Sequence, residues 1–282
     1  MTKNIKTYGR HLNQVLIGIG VLLLLLAVFG FLLPLPDPNT QVLEKSLQPP
    51  TFFGEKSWSN ILGTDQLGRD VLARMVTGTR LTIVIAVSAV FFGAVFGSLL
   101  GVLAGFKGGW LDAVVSRVTE AQLALPFILL AIAVVVARGQ SLSTLILVLS
   151  LVGWAQYVRV VRAETLSVRE NGFVQGLRVG GVSDLAIIMR HVIPNVFGTI
   201  LALGTLEIGT MILAESALSF LGLGVPAPGI SWGAELAAGK DYLTTSWWLV
   251  TFPGLLISLV VLYVNLAGDA LRSRYDKRKR IF

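Results

Sequence analysis

Six apolar runs divided by polar stretches set out the plan of this chain of 282 residues. They fall at about 12–35, 81–106, 111–136, 142–161, 196–218 and 247–266. Each is of the order of the ~20 residues that a helix needs to cross a bilayer, so the pattern predicts an all-α polytopic membrane protein with six transmembrane helices. The first run follows Lys3, Lys6 and Arg10. It is too long for the core of a signal peptide, and Pro34 and Pro36 stand where a small-residue cleavage site would be, so it reads as a span. Short turns at 107–110 and 138–141 join the second, third and fourth spans. Two regions result: 1–80, an N-terminal span plus an extracytoplasmic segment, and 81–282, the main transmembrane domain.

Details within the runs add to this picture. Gly93, Gly97, Gly101 and Gly105 recur every four residues in the second span, one face of a helix that another helix can approach closely. The third span carries Arg117 and Glu120 near its start and Pro126 in its interior. The fourth ends in Trp154, Tyr157, Arg159 and Arg162, as an aqueous interface requires. Glu207 and Glu215 lie in the fifth. An ionised carboxylate in hydrocarbon costs on the order of 2.5–3.5 kcal/mol, so both are expected to face protein or water, either as a polar lining of a pathway or as partners in an interhelical bond.

Composition agrees: 54% of residues are hydrophobic, 14% are charged and mean hydropathy is +0.76. The net charge of +7 would point to nucleic acid in a water-soluble protein. In a membrane chain it reflects basic loops beside anionic lipid, and no nucleic-acid partner is expected. Placing both termini in the cytoplasm puts 16 of the 23 Lys and Arg residues on that side, in keeping with the positive-inside bias. There are no cysteines, and His11 and His191 stand far apart, so neither a disulfide framework nor a histidine metal site is predicted.

The stretch 169–195 is a moderately polar sequence between two long apolar runs and is predicted to be cytoplasmic. Phe173 and Leu177, then Leu185, Ile188, Met189 and Val192, recur at helical spacing. Gly180 and Gly181 interrupt them, Ser183 or Asp184 offers a cap for a second helix, and Pro194 marks the start of the next span. Helix, sharp bend, helix is the expectation, with an apolar side left to be covered. A second polar segment, 36–80, carries Thr64 or Asp65 as a cap for a short helix and Asp70 with Arg74 as an i, i+4 ion pair.

On these motifs the chain resembles the permease subunits of ABC importers. Gln175-Gly176-Leu177, Gly181 and Pro194 keep the spacing of the family's loop pattern, E-A-A, three residues, G, nine residues, I, one residue, L-P. The first three letters differ, His191 stands for Ile and Ile193 for Leu. Three further segments resemble the dipeptide, oligopeptide and nickel branch. These are Gly63-Thr64-Asp65 with Gly68-Arg69-Asp70, where Ala73 replaces the usual Ser; Ala214-Glu215 with Leu218-Ser219-Phe220-Leu221-Gly222-Leu223-Gly224; and Ser231-Trp232-Gly233. The resemblance runs from about residue 60 to the end.

The resemblance implies a coupling helix that docks on a cytoplasmic ATPase, built from Phe173, Gln175, Gly176, Leu177, Gly181, Ser183, Asp184 and Pro194. It implies pathway or gate candidates at Glu207, Glu215 and Ser219, and an extracytoplasmic (periplasmic) motif at Asp65, Gly68, Arg69 and Asp70. The implied partners are a second homologous permease subunit, two cytoplasmic ATP-binding subunits that carry ATP and Mg, an extracytoplasmic substrate-binding protein, and the bilayer of a bacterial or archaeal cytoplasmic membrane. The chain itself has no G-x-x-x-x-G-K-[ST] phosphate cradle, no H-E-x-x-H and no G-x-S-x-G, so neither catalysis nor a bound cofactor is expected of it. Peptide import is the expected activity. Import of nickel or another small solute by the same class is the alternative, and a self-sufficient secondary transporter or channel is a further one. The last would call for repeated halves, and none is visible.

Overall fold

The structure, a computed structural model, describes residues 29–51 and 60–279, with Gly18, Ile19 and Leu25 before them. The expected first span at 12–35 lies mostly outside the described residues. Nine α-helices follow: α1 Val71–Lys107, α2 Gly109–Ala124, α3 Phe127–Arg138, α4 Leu142–Arg169, α5 Gly172–Val179, α6 Asp184–Ile187, α7 Ile193–Phe220, α8 Trp232–Gly239 and α9 Trp248–Lys279, among the described residues. Four stretches are long and apolar enough to cross a membrane: α1, α4, α6 together with α7, and α9 up to Ala270.

The expected third span is not one rod. It is α2 and α3, bent by 96°. Pro126 has no N–H to give to the ladder, and its ring drives the preceding residue out of the helical region. Leu125 is extended accordingly, at φ −86° and ψ 133°. The sequence placed this proline inside a span; the structure makes it the break.

Packing starts from the glycine ridge. α1 and α4 run parallel, in contact from Gly93, against Ser150 and Trp154, to Gly105, against Arg162 and Thr165. A methyl at Gly97 would come 2.8 Å from the Tyr157 side chain, and one at Gly105 2.8 Å from the Arg162 carbonyl. The glycines therefore set the approach of the two helices, as small residues do where no hydrophobic effect pulls helices together. α7 and α9 pack antiparallel, with Gly209 against Val261 and Asn265 and Gly268 against Thr205 and Leu206. The main core, with Ile85, Leu149, Met211, Ile212, Trp232 and Ile257, joins α1, α4, α7, α8 and α9. A second core seats the loop: Val174, Ile187, Ile188 and Val192 pack against Val102, Phe106, Val161 and Val196.

Candidate functional site: the loop end and the far end

At the loop end the chain turns as its glycines dictate. α5 closes with Gly180, and Gly181 follows at φ +78°. The N–H of Gly181 donates to the Arg178 carbonyl at 3.0 Å and that of Val182 to the Leu177 carbonyl at 3.0 Å. This pair of bonds closes the helix through a left-handed residue. Ser183 rather than Asp184 caps α6, its hydroxyl accepting from the Ala186 N–H at 3.4 Å. A π-helical segment, Ile188–Val192, leads from α6 into α7, with Pro194 in the first turn of α7.

The apolar residues of this loop face two ways. Val174, Ile187, Ile188 and Val192 are buried, and Leu177 packs with them against the second core. Phe173, Val179, Leu185 and Met189 stand out from the protein at 51%, 91%, 70% and 58% exposure. Leu177 is thus on the inner side, not beside Phe173 as the spacing implied, and the regular set Leu185, Ile188, Met189 and Val192 divides between the two faces. Phe173 rests edge-on against His191, with ring centroids 5.6 Å apart. Gln175 and Gly176 are exposed.

Charges anchor the loop to the spans. The Arg178 guanidinium lies 4.5 Å from the centre of the Phe106 ring, and its Nε is 3.3 Å from Asp184 Oδ1. Arg169 donates to the last carbonyls of α1, at Gly105 (3.3 Å) and Phe106 (3.2 Å). Such carbonyls lack helical partners and favour a cation. Arg162 pairs through two nitrogens with Asp112 of α2. A rigid seat with an apolar outer surface is the result.

At the far end three separated motifs converge. The segment 42–48 pairs with 63–67: Val42 N–H to the Leu67 carbonyl, Leu47 N–H to that of Asp65, Thr64 N–H to that of Gln48. Asp65 does not cap a helix. It closes its own turn, accepting from the Leu67 and Arg69 N–H groups at 2.8 and 2.9 Å and from Arg69 Nε at 2.6 Å. Gly68, at φ +70°, sits against the Val42 backbone where a side chain has no room. Asp70 is the cap of α1, accepting from the Ala73 N–H at 2.7 Å. Burial pushes its carboxyl above the ordinary carboxylate range, against the pull of backbone N–H groups that include Ala73 and Leu72.

Arg74 does not pair with Asp70 as its spacing implied. It forms a two-pronged bond with Glu235 of α8, Nε to Oε2 at 2.8 Å and NH2 to Oε1 at 2.7 Å, and donates to the Pro38 carbonyl at 2.9 Å. Both side chains are buried. Trp232 donates from its ring to the Met75 carbonyl and from its backbone to Thr82, each at 3.0 Å. Glu215 is fully buried and takes Ser219 Oγ at 2.7 Å and Ser231 Oγ at 2.8 Å on one oxygen. Its other oxygen lies against Gly233, where a Cβ would meet it at 2.8 Å. Of the two carboxylates flagged in the fifth span, Glu215 therefore ties α7 to α8. Glu207 lies two turns away on α7, partly exposed, with its Oε2 4.0 Å from where a Cβ on Gly153 would stand. The Arg74–Glu235 pair and the outward Val179 had no signal in the sequence; Met189 had one in the helical spacing of the loop, and Trp232 one in Ser231-Trp232-Gly233.

Known proteins resemble this chain in sequence and in fold. Residues 97–281 match the family described as binding-protein-dependent transport system inner membrane component. The di/tripeptide transport system permease protein DppC of Pseudomonas aeruginosa (strain UCBPP-PA14) is 38% identical over 263 residues, covering 92% of this chain and 87% of that protein. The oligopeptide transport system permease protein OppC of Bacillus subtilis (strain 168) is 34% identical over 260 residues, 92% of this chain and 83% of that one. Among solved structures, an inward-facing form of the MetNI methionine ABC transporter superposes with a TM-score of 0.60 at 20% identity, over 72% of this chain and 97% of that chain, which speaks to the fold. With its helical membrane architecture and the match across its C-terminal two thirds, the chain belongs to the family of inner membrane components of binding-protein-dependent transport systems.

Proposed function

We propose that this chain is the membrane-spanning half of an ATP-driven importer of di- or oligopeptides. It works with a second homologous permease subunit, two cytoplasmic ATP-binding subunits and an extracytoplasmic binding protein. The names of the relatives support the peptide substrate and the importer class. The single observation that carries the mechanism is the two-faced loop, one apolar side seated in the bundle and the other presented outward. Phe173, Val179, Leu185 and Met189 form the surface that enters a groove on an ATPase, while Gln175, Gly176 and Arg190 border it. Leu177, Gly181, Ser183, Asp184 and Pro194 hold that surface in shape. ATP and Mg bind on the partner subunits. When the ATPase pair closes, the loop moves as a unit with α4 and α7, and the pathway between the two permeases changes its side of access. Positive-inside placement supports a cytoplasmic loop and cytoplasmic termini. Glu207, partly exposed, is the pathway-lining candidate. Glu215 and Ser219 act beside it by holding α8, and Asp65, Gly68, Arg69 and Asp70 shape the extracytoplasmic face.

Helix-in-groove docking relies on a few apolar anchors. Phe173→Ala combined with Leu185→Ala is expected to release the ATP-binding subunits from the detergent-purified complex, with the permease pair intact. Leu177→Ala is expected to lower thermal stability instead. An intact and fully coupled complex after the double change would sink the docking assignment.

A further inference from the structure

We propose that the far end of α1 holds one anionic phospholipid, with its phosphate on Arg80 and an acyl chain along the exposed stripe below. A cavity of about 390 Å³ opens between α1 and the segment before α8. Its polar rim is Asn39, Thr77 and Arg80, and its apolar walls include Leu81, Val84 and Ile230. Arg80 is exposed, and among the described residues it has neither an ion pair nor a hydrogen bond. Arg69, Arg74, Arg162, Arg169 and Arg178, by contrast, are each matched to a carboxylate, a carbonyl or a ring.

Depth places Arg80 at the headgroups. α1 has 37 residues, about 55 Å of helix at 1.5 Å per residue, against a hydrocarbon layer of about 30 Å. At the loop end the layer is bounded near Gly105, where α1 meets Arg162 and its partner Asp112. Counting back 25 residues, about 37 Å, reaches Arg80. The first turns of α1 therefore stand outside the apolar layer, and Arg80 lies about 7 Å beyond its edge, at headgroup depth.

From that point an apolar stripe runs towards the membrane centre. Val84, Val87, Phe91 and Val95 follow Arg80 at steps of three and four residues, and all four are exposed. Cation, hydroxyl and amide at the mouth with a hydrocarbon track below match a phosphate diester carrying acyl chains. A protein partner on the same stripe would bring a carboxylate for Arg80; lipid supplies both charge and chain at this depth without one. Charge complementarity and continuity of cavity with stripe favour the lipid.

Native mass spectrometry of the complete transporter complex, delipidated and titrated with dioleoyl phosphatidylglycerol, tests this. The wild type is expected to bind one lipid at least about tenfold more tightly than Arg80→Gln, the scale of one lost charge-assisted bond. Val84→Trp, which fills the apolar wall, is expected to weaken binding similarly, and Arg159→Gln at the loop end to leave it unchanged. Inorganic phosphate alone is expected not to displace the lipid. Equal retention by wild type and both variants overturns the proposal. So does full displacement by phosphate, which would leave a headgroup site with no chain, and so does loss of the second permease from Arg80→Gln with lipid retention unchanged, which would make this face a protein interface.

Discussion

Gly181 shows how much one residue carries. Its φ of +78° belongs to a region that costs other L-residues roughly 1–2 kcal/mol, and the two closing bonds of α5 depend on it. A Cβ there would meet nothing within 4 Å, so any effect of substitution comes from the backbone alone. Gly176, also with open space around it, lies inside α5 at an ordinary helical position. Gly181→Ala is therefore expected to loosen the loop and lower stimulation of the ATPases, whereas Gly176→Ala is expected to preserve or slightly raise stability, glycine being the poorer helix former by about 1 kcal/mol. Thermal denaturation and ATPase assays of the two variants side by side check this; equal behaviour would refute the bend as the cause. At the same scale Arg74 shows why local spacing misleads. Its i−4 neighbour Asp70 already accepts the Ala73 N–H as a helix cap, so the guanidinium turns to a residue 161 positions away.

At the scale of the element, the long helices are apolar on most sides, and pattern alone cannot separate a lipid-facing side from a packed one. The glycine spacing was the exception, because absence of a side chain marks a contact whichever way the helix is turned. Gly97 faces the Trp154 carbonyl and the Tyr157 Cβ, the latter 2.8 Å from an added Cβ. The neighbours there are backbone and the stem of a side chain, which cannot swing aside. Gly97→Ala is expected to push α1 and α4 apart and to destabilise by about 1–3 kcal/mol, the usual cost of overpacking. The matching change at Gly109, where nothing lies near, tests only its positive φ. A thermal midpoint for Gly97→Ala equal to that of the wild type would show that the two helices are not held by the ridge.

For the whole molecule, the far end is a clasp made from segments distant in sequence. Arg74 joins α1 to α8, Trp232 joins α8 to α1, and Glu215 joins α7 to α8. Breaking one partner of a buried ion pair leaves an uncompensated charge, at a cost of about 3–5 kcal/mol. Glu235→Gln is expected to cost less than Arg74→Gln, because Asp65 stands 3.9 Å from Arg74 and partly replaces the lost carboxylate, while loss of Arg74 strands Glu235 and frees the Pro38 carbonyl. A double-mutant cycle read by thermal unfolding should give a coupling well above 1 kcal/mol for neighbours in contact. Additive single effects would mean that the pair does not hold α8 in place.

The two sources of information divide along physical lines. Length and apolarity of the runs established helices in a membrane, because the bilayer admits few other solutions. Gly181 and Pro194 marked the loop's bend and the start of α7, since positive φ and a missing N–H are properties of single residues. The break at Pro126 was beyond reach, because a proline is tolerated in some membrane helices and breaks others according to what surrounds it. Which side of the loop is seated was also beyond reach: Leu177 and Phe173 are both apolar and close on one helix, and only the shape of the second core selects between them. The same holds for Arg74, Glu215 and Arg80. Their residue types announced charge at an apolar border, but whether each meets a carboxylate, a hydroxyl or an open cavity depends on segments brought together from across the chain, and local sequence carries no record of that distance.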